Sequence, residues 1–228
     1  MTACQIPPAA PGASAQPARW TDVWESFDLP GKRATRYVPV QHDRRWVLHA
    51  SSQRSASVYR RPMHVPSDEL GQLSFSWKVA ALVGEGDVRR AETEDAPVRV
   101  VLAFDGDRAR LSARNRMMFD LMQALSGEPP PFATLMYVWD SQAPVGTVVV
   151  NERTDRVRQI VIESGTAHVG TWRSYSRDVV ADFQRAYGEK PGALLGVAVM
   201  TDSDNTRSQA EAWYGEISLT RPAGSAAP

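Results

Sequence analysis

A chain of 228 residues, 43% hydrophobic and 23% charged, has the make-up of a soluble globular protein able to bury a sizeable core. Its 26 basic and 26 acidic side chains cancel, so net charge gives no reason to expect nucleic acid or an anionic membrane as partner. No apolar run approaches the roughly 20 residues that span a bilayer, and the single cysteine, Cys4, excludes an internal disulfide framework and a cysteine-based zinc site.

Residues 1–18 are rich in Ala and Pro without periodicity and read as a disordered tether. Residues 221–228 have the same character, which leaves 19–220 as one domain without internal repeats. Thr2-Ala3-Cys4 is similar to the end of a bacterial lipoprotein cleavage box, with Cys4 as the lipidation candidate. The basic region and apolar run that precede such a box are missing. Either the chain begins just upstream of a lipidated cysteine, which places the protein in the periplasm or on the outer membrane, or Met1 is the native start and the protein is cytoplasmic.

Trp20 to Leu29 opens the fold on Trp20, Val23, Trp24, Phe27 and Leu29. Arg45 to Ala50 and Ala56 to Arg60 are short strand-like runs around a Ser/Gln/Arg turn. From Gln72 to Val79 the pattern alternates, with Phe75, Trp77 and Val79 on one face and Ser74, Ser76 and Lys78 on the other, the period of a half-buried strand. Gly84 to Pro97 is acidic and reads as a long loop, and Val98 to Phe104 as a central strand.

The period then becomes helical. Leu111, Met118, Leu121, Met122 and Leu125 share a face, and Ser126-Gly127 before Pro129 ends the helix. Arg108, Arg110, Arg114 and Arg116, bracketed by Asp105, Asp107 and Asp120, form its solvated side. Ala133 to Asp140, Gly146 to Val150 and Arg156 to Glu163 return to strand. Val179, Phe183 and Tyr187 mark a second helix, stopped at Gly188. The chain ends on a strand from Leu194, an acidic loop from Asp202 to Thr206, and a last strand from Ala210, a hairpin-like unit. These elements predict a mainly β protein: a two-sheet antiparallel β-sandwich with two short helical insertions.

Several segments together resemble the bacterial domain-of-unknown-function family number three-thousand-and-forty-seven. They are Phe75 to Val79, Tyr137-Val138-Trp139, Asn151 to Arg158, and above all Val199 to Thr206 with Ala212 to Ile217. Over about residues 20–220 the resemblance implies a β-sandwich and an envelope location, with the Met-rich helix as an insertion; it carries no established activity. Trp24 to Asp28 and Tyr214 to Ile217 are also similar to the opening and closing segments of galactose-binding-like jelly rolls, which include carbohydrate-binding modules.

Three groups of residues have chemical potential. Calcium takes six to eight oxygen ligands, and if the first and last strands are neighbours, Glu25, Asp28 and Glu216 would meet as a structural calcium site. Asp202, Ser203, Asp204, Asn205 and Thr206 suit turn chemistry first and hydroxyl or cation recognition second. Trp139-Asp140, Trp172-Arg173 and Trp213-Tyr214 pair aromatic faces with hydrogen-bonding groups, the combination that sugar recognition uses.

No nucleophile elbow, HExxH helix, phosphate loop or dinucleotide fingerprint occurs, and His42, His49, His64 and His168 lack metal-ligand spacing. The expected function is therefore a non-catalytic carbohydrate-binding sandwich of the bacterial envelope, using Trp139, Asp140, Trp172, Arg173, Asp202, Asp204 and Asn205. The alternatives are a polysaccharide-cleaving enzyme working through Asp140, Asp202 and Asp204, and a protein-interaction component of an envelope assembly that docks through the Met-rich helix.

Overall fold

A computed structural model describes Trp20 and residues 23–222. Cys4 and residues 1–18 lie outside the described part, as do residues 223–228. The strands are β1 (Glu25–Asp28), β2 (Arg36–His42), β3 (Arg45–Gln53), β4 (Ser57–Val65), β5 (Gln72–Val79), β6 (Arg99–Phe104), β7 (Ala133–Asp140), β8 (Val148–Val150), β9 (Val157–Ser164), β10 (Arg173–Asp178), β11 (Leu194–Met200), β12 (Gln209–Tyr214) and β13 (Ser218–Leu219). Helix α1 (Ala113–Ser126) lies between β6 and β7, and α2 (Val179–Tyr187) between β10 and β11.

The strands form two sheets, in the orders β1-β4-β11-β6-β7-β9-β8 and β10-β5-β12-β3-β2, with β13 also paired to β5. The antiparallel pairs β3·β12, β4·β11, β5·β10 and β6·β7 nest inside one another along the chain. That nesting is a jelly roll: a long hairpin wound so that successive pairs alternate between two packed sheets. The β7·β9 pair is parallel, an exception to the antiparallel arrangement expected from sequence.

The alternation read in β5 holds residue by residue. Leu73, Phe75, Trp77 and Val79 are buried, and Phe75 meets Tyr137 of the opposite sheet at 5.6 Å between ring centroids. The outer face of the seven-stranded sheet is covered as well, because the segment before β6 folds back and packs Val88 and Ala96 with Val138 and Val161 in a second small core. The outer face of the six-stranded sheet instead carries Lys78, His49, Glu211 and serines of β5 and β10.

Three expectations need correction. The C-terminal strands are not a hairpin: β11 pairs with β4 and β6, and β12 with β3 and β5, so the acidic loop crosses from one sheet to the other. Helix α1 buries Asn115 and Phe119, while Leu121 (54%) and Leu125 (59%) face solvent together with Met117 (71%). The helix is anchored near its start, where Asn115 bonds Asp155 and Thr154, and the second half of its apolar face is left uncovered. Arg221, assigned to the tail, pairs with Glu69 at 3.0 Å. Helix α2 follows the sequence reading, with Asp178 capping Ala181 N–H at 2.9 Å and Gly188 closing it at φ +70°.

Candidate functional site

The outward positions of the six-stranded sheet gather an aromatic and cationic cluster. Register sets Trp213 of β12 opposite His49 of β3 on one side and Lys78 of β5 on the other. Trp172 directly precedes Arg173, which pairs with Trp77, so it stands beside Lys78 on the far side from Trp213. The two indoles are thus two strand spacings apart, roughly 10 Å.

The β2–β3 turn, with Asp43 at φ +49° and Arg44 at φ +61°, brings its tip onto the same face. The His42 ring stacks on Trp213 with centroids 4.6 Å apart and 11° between planes, and His49 lies at 5.4 Å and 23°. Lys78 Nζ is 3.1 Å from His42 Nε2 and 3.2 Å from Asp43 Oδ2. Trp172 Nε1 donates to Asp43 at 2.9 Å, and the Arg45 guanidinium sits 5.3 Å from the Trp172 ring centroid. The Trp172 bond, then the Lys78 bond and the His42 charge, hold the Asp43 carboxyl below the usual carboxylate range. Each indole is thereby fixed by neighbours while remaining part-exposed.

The other candidates are placed differently. Trp139 is fully buried and donates Nε1 to the Gly165 carbonyl at 3.0 Å, so its ring has no face to offer a sugar. Asp140 is also fully buried and accepts the amides of Val88 (2.8 Å), Gln142 (2.7 Å) and Ala143, the work of a loop-closing carboxylate. Arg173 points inward with Tyr175, and both bond Glu163, at 3.1 and 2.8 Å. Burial alone would raise the Glu163 carboxyl; bonds from Tyr175, His168 and the Ser164 amide outweigh it and hold it low.

The acidic loop is an internal knot. Asp202 is bonded to Arg99, and their side chains are 4% and 2% exposed. Burial pushes Asp202 up to about 6, against the attraction of Arg99. Arg99 keeps its charge, since Asp202, Glu94 and Asp95 together outweigh its own desolvation. Asp204 pairs with Lys32. Asn205 Nδ2 donates to the Ala91 carbonyl at 2.6 Å, and the Asn205 and Thr206 amides donate to Asp95. Asp95, Asp202 and Asp204 bring ligand atoms within 4.8 Å of one another, but Asp202 is already paired with Arg99 and Asp204 with Lys32.

Glu25, Asp28 and Glu216 do not converge in this way. β1 pairs with β4 in the seven-stranded sheet, whereas Glu216 lies between β12 and β13 of the other. Glu25 pairs with Arg60 at 2.8 Å, and Asp28 is exposed. The condition for the calcium site, neighbouring first and last strands, is not met.

The family pattern described as "Protein of unknown function (DUF3047)" matches residues 22–218. The chain belongs to this family. No curated protein sequence is similar to it. Among solved structures it is similar to the family 11 carbohydrate-binding module of the cellulosomal cellulase Lic26A-Cel5E of Clostridium thermocellum (10% identity, 87% of each chain covered, TM-score 0.40). It is also similar to the module TmCBM61 in complex with β-1,4-galactotriose (10% identity, 90% and 91% covered, TM-score 0.38). A third likeness is to the xyloglucanase domain of NopAA, a type three effector from Sinorhizobium fredii, in complex with cellobiose (11% identity, 91% and 100% covered, TM-score 0.46). These are likenesses of overall outline.

Of the ligand-binding set expected from sequence, Trp172 belongs to the open sheet face, where Trp213 of the third aromatic pair joins it; Trp139, Asp140, Arg173, Asp202, Asp204 and Asn205 do not. His42, Asp43, Arg45, His49 and Lys78 were not singled out. The signal that could have found Lys78 was its outward place in the alternating β5; the others depend on cross-strand register, which sequence spacing does not contain.

Proposed function

We propose that this protein is a non-catalytic glycan-binding module whose binding face is the outer surface of the six-stranded sheet. One observation carries the reading: Trp172 and Trp213, both part-exposed, flank Lys78 on a face rich in hydrogen-bonding side chains. A sugar presents an apolar C–H face and a rim of hydroxyls, so it is recognised by aromatic surface with a few fixed polar groups beside it. The spacing of the two indoles suits a short oligosaccharide lying across the strands. His42, Asp43, His49 and Glu211 are held by one another and by Lys78, which lowers the ordering cost of binding. An envelope location goes with this reading and rests on the Thr2-Ala3-Cys4 pattern.

The test is affinity electrophoresis on a panel of soluble polysaccharides, with the supernatant of insoluble ones assayed for released sugar. Retention without release, lost in Trp213→Ala, is the expected outcome. Release of sugar would make the protein an enzyme, and indifference to every glycan would end the carbohydrate reading.

A second reading, a protein-interaction component, is favoured by the exposed Met117, Leu121 and Leu125, which recur every four residues along α1. Cross-linking at Leu121→Cys, followed by identification of the captured protein, tests it.

A further inference from the structure

Asp43 and Arg44 are the two residues between β2 and β3, at φ +49° and +61°. Positive φ at both is what the tightest hairpin turn requires. The tip of this turn reaches across the sheet. Asp43 Oδ2 accepts from Lys78 Nζ on β5 at 3.2 Å and from Trp172 Nε1, beside β10, at 2.9 Å. Strand β12 lies between β3 and β5, so these bonds are made over a strand and not between neighbours.

Two donors, an ammonium and an indole N–H, thus converge on one carboxylate oxygen. The donors belong to the body of the sheet, whereas the carboxylate belongs to a turn and its side chain is 48% exposed. Lys78 is part-buried between the two indoles, 3.1 Å from His42 Nε2 and 5.7 Å from the Trp213 ring centroid. An ammonium has three donors, and the bonds to His42 and Asp43 use two of them. Glu211, the acid nearest Trp213 on β12, is taken by His49 at 2.8 Å. Arg45, over the Trp172 ring, has no ion pair among the described residues. Once the Asp43 side chain turns outward, Lys78 and Arg45 leave the space between the indoles positive.

We infer that the glycan bound on this face is acidic, a chain of uronate sugars, one of whose carboxylates replaces that of Asp43 on Lys78 and Trp172. This rests on the glycan reading of the face and adds a substrate class to it. A uronate offers both halves of what the face presents: a C–H surface for an indole and a carboxylate for an ammonium. Asp43 is then an internal competitor. It keeps the two donors in place in the free protein, and it lowers the apparent affinity in proportion to the time it occupies them.

The full chain is titrated calorimetrically with trimers of galacturonate, mannuronate and glucuronate. Each is set beside its methyl ester and the matching neutral trimer, and dextran sulfate serves as a plain polyanion. The expected result is saturable binding of a uronate trimer, at least about tenfold tighter than its ester or its neutral counterpart, the worth of a charge-assisted bond. Lys78→Met should lose this preference. Asp43→Ala should bind the same trimer about threefold or more tightly than the unaltered chain, because the competitor is gone. Trp139→Phe should bind as the unaltered chain does.

A neutral trimer bound as tightly as its acid overturns the inference and leaves the glycan reading standing. So does a preference for the acid that survives in Lys78→Met, or dextran sulfate bound as tightly as the uronate. Unchanged or weaker uronate binding by Asp43→Ala overturns it as well, since Asp43 would then not compete. Indifference to every trimer overturns it alone where neutral polysaccharides are retained, and together with the glycan reading where they are not.

Discussion

The guanidinium of Arg99, at the start of β6, is bonded to the carboxylate of Asp202, in the loop that carries the chain from β11 to β12. The pair sits inside a shell completed by Gln159, the Glu94 carbonyl and the Ala96 amide. It pins the crossing between the two sheets, and it explains why the acidic stretch of this sequence is not a surface feature.

Arg99→Met should destabilise the protein by about 3–5 kcal/mol at neutral pH, because it leaves a buried carboxylate without its cation. Without Arg99 the Asp202 carboxyl will rise above its present value of about 6. A carboxyl raised in the folded state contributes stability that is present below its unfolded pKa and is lost as pH rises through its folded pKa. The deficit of Arg99→Met should therefore be larger at pH 8 than at pH 5. Urea unfolding of parent and variant at the two pH values reads this; an equal deficit at both would place Asp202 outside the effect.

Trp172→Ala and Trp213→Ala should each weaken glycan binding by roughly 5- to 30-fold, the 1–2 kcal/mol typical of losing an aromatic anchor. Trp139→Phe should not change affinity, because that indole is sealed inside the sandwich. Calorimetric titration with an oligosaccharide chosen from the retained polysaccharide separates the three.

Chelator and added calcium should leave the melting temperature in place. An ion held at 100 times its dissociation constant would add about 2.7 kcal/mol, a shift of roughly 5–10 °C for a chain of this size. Asp202 and Asp204 are already paired with Arg99 and Lys32, Asp95 is taken by the Asn205 and Thr206 amides, and Glu25 by Arg60. A calcium-dependent shift of that size in differential scanning fluorimetry would contradict this assignment.

The triple change Met117→Gln, Leu121→Gln, Leu125→Gln should alter stability by no more than about 0.5 kcal/mol per site, since the three side chains face solvent. Phe119→Ala, on the buried side of the same helix, should cost about 3–5 kcal/mol. Denaturant midpoints of the two variants test the orientation of α1 directly.

The sequence by itself determined the class of fold. The period of two in β5, the continuous apolar run of β6 and the helical spacing of Val179, Phe183 and Tyr187 are local consequences of which side must be buried, and each element formed as read. What it could not contain was register and crossing. The last two strands look like a hairpin when read alone, and only the pairing with β4 and β3 sends them to opposite sheets. The fate of the seven tryptophans was decided the same way. Trp139 and Trp172 each stand beside a polar residue, yet one is walled in by the opposite sheet and the other rests on the uncovered face. Apolar periodicity is a property of neighbours along the chain. Which face stays open is a property of what the rest of the chain leaves uncovered, and only the tertiary structure decides it.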